Sequence, residues 1–168
     1  AYIYSYNDTY RRAALEIFDR TGMTVYSPDY RIAPAHPYPA ALDDAVACYR
    51  RILADGVPGA RIAVMGDSAG GGLCLSLVMR LRETSLPLPG AIVTFSAWTD
   101  LAMTGASIQT NAGRDPMFGE GSEPLHPEFY AGKTPLDDPL VSPKYGTYDR
   151  FPPMLMHIGG FEIILSDT

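Results

Sequence analysis

Residues 66–70 read Gly-Asp-Ser-Ala-Gly, a G-x-S-x-G pattern that can present a serine as a nucleophile. The pattern lies between an apolar run at 61–65, typical of a buried strand, and a stretch of helical character at 73–83. In this strand–turn–helix context, a sharp turn lifts the Ser68 hydroxyl clear of the sheet, and the N-terminus of the following helix favours developing negative charge. The backbone N–H of Ala69 is then placed to donate to an oxyanion.

Three further residues of the pattern are predicted to support the turn: Gly66, Asp67 and Gly70. We expect both glycines to be required because a side chain at either position would collide with the neighbouring strand or helix. An alternative is an ordinary glycine-rich turn in which Ser68 only caps a helix. A phosphate-binding loop is disfavoured because no Gly-Lys-Ser/Thr sequence follows.

A serine nucleophile requires a base, and the base requires an orienting carboxylate; in strand–turn–helix hydrolases the chain order is serine, acid, histidine. Glu162 follows a predicted strand at 154–158 and the glycines at 159 and 160, which suits the acid. Asp167 is the nearby rival, although it lies further into what reads as the next helix. A plain solvated carboxylate is the alternative for either residue.

Histidine is present at three positions, and none of them follows Glu162. His36 lies in a proline-rich segment and is expected to be structural. His157 lies inside a predicted strand and is expected to pack in the core. His126 lies in a loop-rich region from which it could approach a pocket, and it is a weak candidate for the base. The sequence therefore predicts a nucleophile and an acid without a convincing base between them.

Helices and strands alternate along the chain. The predicted elements are a helix at 9–21, a strand at 23–27, a helix from about Pro39 to 55, a strand at 61–65, a helix at 73–83, a strand at 91–95, a short helix at 126–131 and a strand at 154–158. The strands are apolar on both faces, which predicts an α/β fold with a mainly parallel sheet and helices on both faces. Catalytic groups in such sheets lie at the carboxyl ends of the strands.

Composition excludes several classes of protein. The chain has 168 residues, 46% of them hydrophobic, and a net charge of −6 without a basic stripe, so we expect one domain and no nucleic-acid partner. No run approaches the length of a membrane span, and we expect no membrane partner and a cytoplasmic location. Cys48 and Cys74 are too few for a disulfide framework and are expected to be free, buried thiols. The oligomeric state is left open.

Five segments, in this order and spacing, resemble the hormone-sensitive-lipase-like group of bacterial esterases among the α/β-hydrolases. The segments are residues 29–41 (DYRIAPAHPYPAA) with Asp43, 66–71 (GDSAGG), 96–100 (SAWTD), 138–143 (DPLVSP) and 152–155 (PPML) leading to Glu162. Together they span nearly the whole chain and are specific, although no single one is.

The resemblance implies a carboxylic-ester hydrolase that acts through a serine nucleophile and an acyl-enzyme on short-chain acyl esters, with no metal or cofactor. Ser68 takes the place of the nucleophile, Ala69 that of an oxyanion donor, and Glu162 that of the triad acid. The family's N-terminal cap, first strands, His-Gly-Gly-Gly motif and C-terminal histidine segment are expected to be absent, so that residues 1–168 form a single partial catalytic domain. The family order also places one further strand between 23–27 and 61–65.

Two rivals to the esterase remain. One is a ligand-binding protein of receptor type on the same fold, such as a gibberellin-receptor-like protein that has lost its histidine. The other is a serine peptidase or acyltransferase. The expected partner is a small-molecule ester substrate, and assays with esters, peptides and acyl acceptors would separate the alternatives.

Overall fold

The structure, a computed structural model, describes residues 2–4, 6–119, 121–122 and 125–168. Three parallel strands form its sheet: β1 (Ala63–Asp67), β2 (Ala91–Phe95) and β3 (Met154–His157). They are hydrogen-bonded in the order β1-β2-β3. Since all three strands run the same way, their carboxyl ends meet at one edge, where the turns after each strand lie side by side.

The five α-helices among the described residues are α1 (Asp8–Thr21), α2 (Ala40–Ala54), α3 (Ala69–Glu83), α4 (Ser107–Thr110) and α5 (Pro127–Ala131). Residues next to helix α1 in the sequence cap both of its ends. The Asn7 side chain accepts from the backbone N–H of Thr9 at 2.9 Å, and Gly22 closes the helix with a φ of 68°.

Helix α3 is the centre of the core. Eleven of its 15 residues are buried, because one side packs on the sheet and the other on α2. Towards the sheet, Leu75 and Val78 of α3 contact the buried Ile92 of β2. Towards α2, Leu77 shares a core cluster with Leu42 and other α2 residues. A helix enclosed on both sides must be apolar around most of its circumference, as this one is.

The opposite face of the sheet is uncovered in the part of the chain that the structure describes. Side chains alternate between faces along a strand, and the register places Met65, Val93 and Leu155 in one row. Met65 is 46% exposed and Leu155 54% exposed. The expected helices on both faces are therefore observed on one face only. Helix α1, which buries none of its residues, does not close the other.

The predicted strand at 23–27 is not a strand. Residues 23–27 have no regular secondary structure and belong to no ladder, and β1 pairs only with β2 among the described residues. Local β propensity is not sufficient here, because a strand needs a partner for its backbone groups. The further strand that the resemblance places between 23–27 and 61–65 therefore stays a prediction.

The two cysteines are free, with Cys74 buried and Cys48 partly buried. Burial raises the pKa of the Cys74 thiol to about 12, so this thiol stays protonated at neutral pH. Within the described ranges, every helix falls short of the length and apolar character that a bilayer crossing requires.

Candidate active site

Ser68 occupies the single residue between strand β1 and helix α3. Its φ of 50° and ψ of −121° lie in a region that non-glycine residues rarely adopt, so the surrounding structure must hold it there. Two backbone hydrogen bonds do so. Ser68 N–H donates to the carbonyl of Phe95 at 2.9 Å, and the Ser68 carbonyl accepts from Trp98 N–H at 2.9 Å. The turn is thus anchored to the end of β2.

The two glycines flanking Ser68 have different surroundings. A Cβ at Gly66 would overlap the backbone carbonyl of Gly70, as the sequence predicted. A Cβ at Gly70 would meet nothing nearer than an Asp67 carboxylate oxygen at 4.0 Å, so the expected collision there is wrong. Gly71 and Gly72 are crowded as well: a Cβ at Gly71 would lie 2.7 Å from that of Ala97, and a Cβ at Gly72 would lie 2.4 Å from the Trp98 carbonyl oxygen. The close approach of α3 to β1 and to the loop after β2 therefore requires glycine at positions 66, 71 and 72.

Ala69 is the first residue of α3, so its N–H has no acceptor within the helix and points out of the helix N-terminus. A developing oxyanion beside Ser68 would receive this N–H together with the positive end of the helix dipole. Asp67, the last residue of β1, is exposed, and its carboxylate accepts from the Tyr10 hydroxyl at 3.3 Å. Asp67 therefore links the turn to helix α1.

Glu162 lies five residues after the end of β3, at the same sheet edge as Ser68. Its Oε1 atom accepts two hydrogen bonds, from the Ser96 hydroxyl at 2.7 Å and from Gly159 N–H at 2.7 Å. Ser96 is the first residue after β2, and its N–H donates to the His157 carbonyl at 2.6 Å. The residues after β1, β2 and β3 are thus joined in a row in which Ser96 stands between Ser68 and Glu162.

A loop before α5 holds the backbone around Glu162. The Asn111 side-chain amide donates to the Glu162 carbonyl at 2.8 Å, and Asp115 accepts from Ile163 N–H at 2.7 Å. Burial acts to raise the pKa of Asp115, but hydrogen bonds from backbone N–H groups outweigh it and the pKa is lowered. The Arg114 guanidinium lies 4.1 Å from the ring centroid of Phe161. These contacts could not be predicted from the sequence, since nothing local in residues 111–115 indicates a contact with residues some fifty positions later.

The carboxylate of Asp167, the alternative candidate for the acid, is hydrogen-bonded to the loop after β2. Its Oδ2 atom accepts the backbone N–H of Thr99 at 2.9 Å and of Asp100 at 3.0 Å. Burial raises the pKa of the Asp167 carboxyl to about 6. Asp100 beside it is ion-paired with Lys144 at 2.8 Å. Asp167 therefore connects the last residues of the chain to the loop after β2, which is a structural role.

The three histidines make no side-chain hydrogen bond to Ser68 or Glu162 among the described residues. His126 pairs with Glu128 at 2.9 Å, and His36 is exposed. The expectation that His157 packs in the core is wrong. It lies on the uncovered face of the sheet, exposed, with its ring stacked 5.7 Å from that of Phe95. No group of three or more His, Cys, Asp or Glu residues in the described ranges is arranged to hold a metal ion.

A serine held in a strained turn between a strand and a helix, with a carboxylate after a later strand of the same parallel sheet, is the arrangement of the α/β hydrolase class. The family model described as alpha/beta hydrolase fold matches residues 1–168, and the chain belongs to this family. The family recognised from the sequence motifs is thereby confirmed.

Two curated relatives are named as an acetyl-hydrolase and an esterase. An acetyl-hydrolase of Streptomyces hygroscopicus is 37% identical over 160 residues, which cover 95% of this chain and 54% of the relative. An esterase of Acinetobacter venetianus is 32% identical over 162 residues, covering 96% of this chain and 54% of the relative. The chain therefore spans about half the length of these relatives.

Solved structures agree with both the fold and the family. The esterase EstE5 superposes with a TM-score of 0.90 at 34% identity, covering 99% of this chain and 56% of that one. An esterase described as belonging to the bacterial hormone-sensitive lipase family superposes with a TM-score of 0.76 at 42% identity, covering 83% and 47%.

Proposed function

We propose that this chain carries the nucleophile and the acid of a carboxylic-ester hydrolase, with Ser68 as the nucleophile and Glu162 as the acid. The observation that carries the proposal is their placement at one sheet edge, Ser68 in a strained turn and Glu162 fixed through one carboxylate oxygen. Esterase and acetyl-hydrolase relatives support the reaction class.

The reaction needs a base, which we assign to a histidine in the remaining half of a longer protein, because relatives are about twice as long as this chain. That histidine removes the Ser68 proton as Oγ attacks the ester carbonyl. The tetrahedral oxyanion is stabilised by Ala69 N–H and by the N-terminus of α3. Collapse expels the alcohol, which takes the proton from the histidine, and leaves Ser68 acylated. Water then repeats the sequence and releases the acid.

Glu162 holds the imidazole in one tautomer and stabilises its charged form through the oxygen not bonded to Ser96. No redox or metal step enters this mechanism. We propose short-chain acyl esters as substrates, a choice supported by the acetyl-hydrolase relative. Residues 1–168 are then one part of a catalytic domain, with a second oxyanion donor supplied by the portion that relatives have in addition.

The test compares the complete protein that carries this segment with the isolated 168-residue chain on p-nitrophenyl acetate. In the complete protein we expect Ser68→Ala to lower kcat by about 10⁴–10⁶-fold and Glu162→Ala by about 10³–10⁴-fold. The isolated chain should show no turnover that Ser68→Ala abolishes, because no histidine in its described residues contacts Ser68.

Ser85→Ala is the matched control. Ser85 is an exposed serine with a φ of 54°, at the far end of α3 from Ser68, so its substitution should leave kcat unchanged. Full activity of the Ser68→Ala protein would refute the assignment of the nucleophile. Saturable ester binding without hydrolysis would favour the receptor-type reading.

A further inference from the structure

We propose that Ser96 is a positioning residue for Glu162, which it holds so that one carboxylate oxygen stays free to receive the histidine. The inference rests on the proposed function, since it assumes that Glu162 is the acid. It assigns a role to a side chain that touches neither substrate nor nucleophile.

The backbone of Ser96 is held in an unfavourable conformation. Its φ of 46° is in the left-handed region, as is the φ of 50° at Ser68. The neighbouring residue Phe95 accepts the Ser68 N–H, while Ser96 N–H donates across to the His157 carbonyl at 2.6 Å. Strain of this kind persists only where surrounding bonds impose it, and it is concentrated at functional sites.

The strained backbone aims the hydroxyl at the acid. Ser96 Oγ donates to Oε1 of Glu162 at 2.7 Å, and Gly159 N–H donates to the same oxygen at 2.7 Å. Among the hydrogen bonds of the described residues, none goes to Oε2 of Glu162. The carboxylate is therefore anchored at one oxygen and open at the other.

Anchoring matters because the last torsion of a glutamate side chain has broad minima, so the carboxylate plane is poorly fixed by its own rotamer. Glu also has one more rotatable bond than Asp. Gly159 alone provides one donor at a loop backbone; Ser96 adds a second donor from the end of β2, on the side that faces the Ser68 turn. Two donors on Oε1 fix the plane of the Glu162 carboxylate and therefore the direction in which Oε2 points.

The test is a kinetic comparison in the complete protein on p-nitrophenyl acetate. Loss of a hydrogen bond to a charged group predicts a fall in kcat of about 10–100-fold for Ser96→Ala, with KM unchanged, because substrate binding does not involve Glu162. Ser96→Gly removes the same hydroxyl and relieves the positive φ, so it should show the same loss and provides the measurement if Ser96→Ala does not fold. Ser85→Ala, at a similar φ, should retain wild-type kcat.

A double-mutant cycle separates positioning from a general structural effect. Because Ser96 acts through the carboxylate, adding Ser96→Ala to Glu162→Ala should cause no further loss of kcat. Full additivity, or wild-type kcat in both Ser96 variants, would overturn the inference. If Glu162→Ala itself retained full kcat, the proposed function would fail at the acid, a result distinguishable from failure at Ser96 alone.

Discussion

The residues around Ser68 show that one motif can contain glycines with different tasks. Glycine is required at position 66 because the backbone of Gly70 leaves no room for a Cβ there. At position 70 a Cβ would meet nothing nearer than 4.0 Å. Both positions look equivalent in the sequence pattern. Their difference arises from how closely α3 approaches β1, which no local signal encodes.

We expect Gly66→Ala to lower the free energy of unfolding by about 1–3 kcal/mol, because its Cβ cannot be accommodated without backbone movement. Gly70→Ala should instead raise it by up to about 1 kcal/mol, since alanine is the better helix former in the first turn of α3. Urea unfolding of both variants provides the measurement. Equal losses at the two positions would contradict the packing described here.

Ser68 and Glu162 could be proposed from the sequence because each has a pattern around it: a strand–turn–helix for the serine, and a strand followed by two glycines for the acid. The sequence did not identify Ser96. A serine after a strand is common, and its importance comes from a carboxylate 66 residues later. The placement of Ser68 and Glu162 at one edge was predictable from parallel strands; the hydrogen bonds between the turns were not.

At the scale of elements, the short turn at Leu165–Asp167 fastens the end of the chain to the loop after β2. Its Asp167 carboxyl lies beside Asp100, which accepts from Lys144 and Thr104. Burial acts to raise the pKa of Asp100, but these hydrogen bonds outweigh it and the pKa is lowered. Two carboxyl groups in one buried cluster thus have pKa values shifted in opposite directions.

The raised pKa of Asp167, about 6 in the fold against 3.8 in the unfolded chain, favours the protonated form in the folded state. Its contribution to stability is therefore fully present below about pH 4 and is lost as the pH rises through 6. Asp167→Asn keeps an oxygen acceptor for Thr99 and Asp100 but does not ionise.

Between pH 4 and pH 7, Asp167→Asn should therefore become more stable relative to the wild type. The measurement is the difference between the urea midpoints of the two proteins as a function of pH. A difference that stays constant over this range would show that the Asp167 carboxyl is not the titrating group. Taking the difference removes the contributions of the other carboxylates, which both proteins share.

Most elements were predicted close to their observed limits, strands β2 and β3 among them, whereas the strand expected at 23–27 was not observed. Helix α1 is bounded by Asn7 and Gly22, which act on adjacent residues, and its predicted limits of 9–21 are close to the observed Asp8–Thr21. Residues 23–27 have β propensity but no partner, so the prediction of a strand fails there. A helix depends on its own hydrogen bonds, whereas a strand depends on another segment.

At the scale of the whole molecule, the uncovered sheet face is the main unusual feature. Met65, Phe95 and Leu155 lie on it with exposures of 46, 44 and 54%. Neighbouring exposed apolar residues on a sheet favour association with other chains, and so does β1, which has no second partner strand in the part of the chain that the structure describes. In a longer protein this face is where further elements can pack.

We expect the isolated 168-residue chain to self-associate as its concentration rises, and Met65→Glu to weaken this association. Met117 is 70% exposed on a loop, so Met117→Glu adds the same charge away from the sheet and should leave the association unchanged. Sedimentation velocity over a concentration series measures both. Equal effects of the two substitutions would show that net charge, not the sheet face, controls association.

The hydrogen-bonded row of turns after the three strands limits where the chain can accept insertions. Ser68, Ser96 and Glu162 keep their spacing because each turn is bonded to the next strand end. Side chains alternate between the two faces of a sheet, so a one-residue insertion within β2 would turn the Ser96 side chain to the opposite face and break this row. Insertions in the long connection between β2 and β3 leave the strand ends in place where they avoid residues 111–115, which hold the backbone around Glu162. Diversity in chain length among related sequences is therefore expected to be concentrated in that connection.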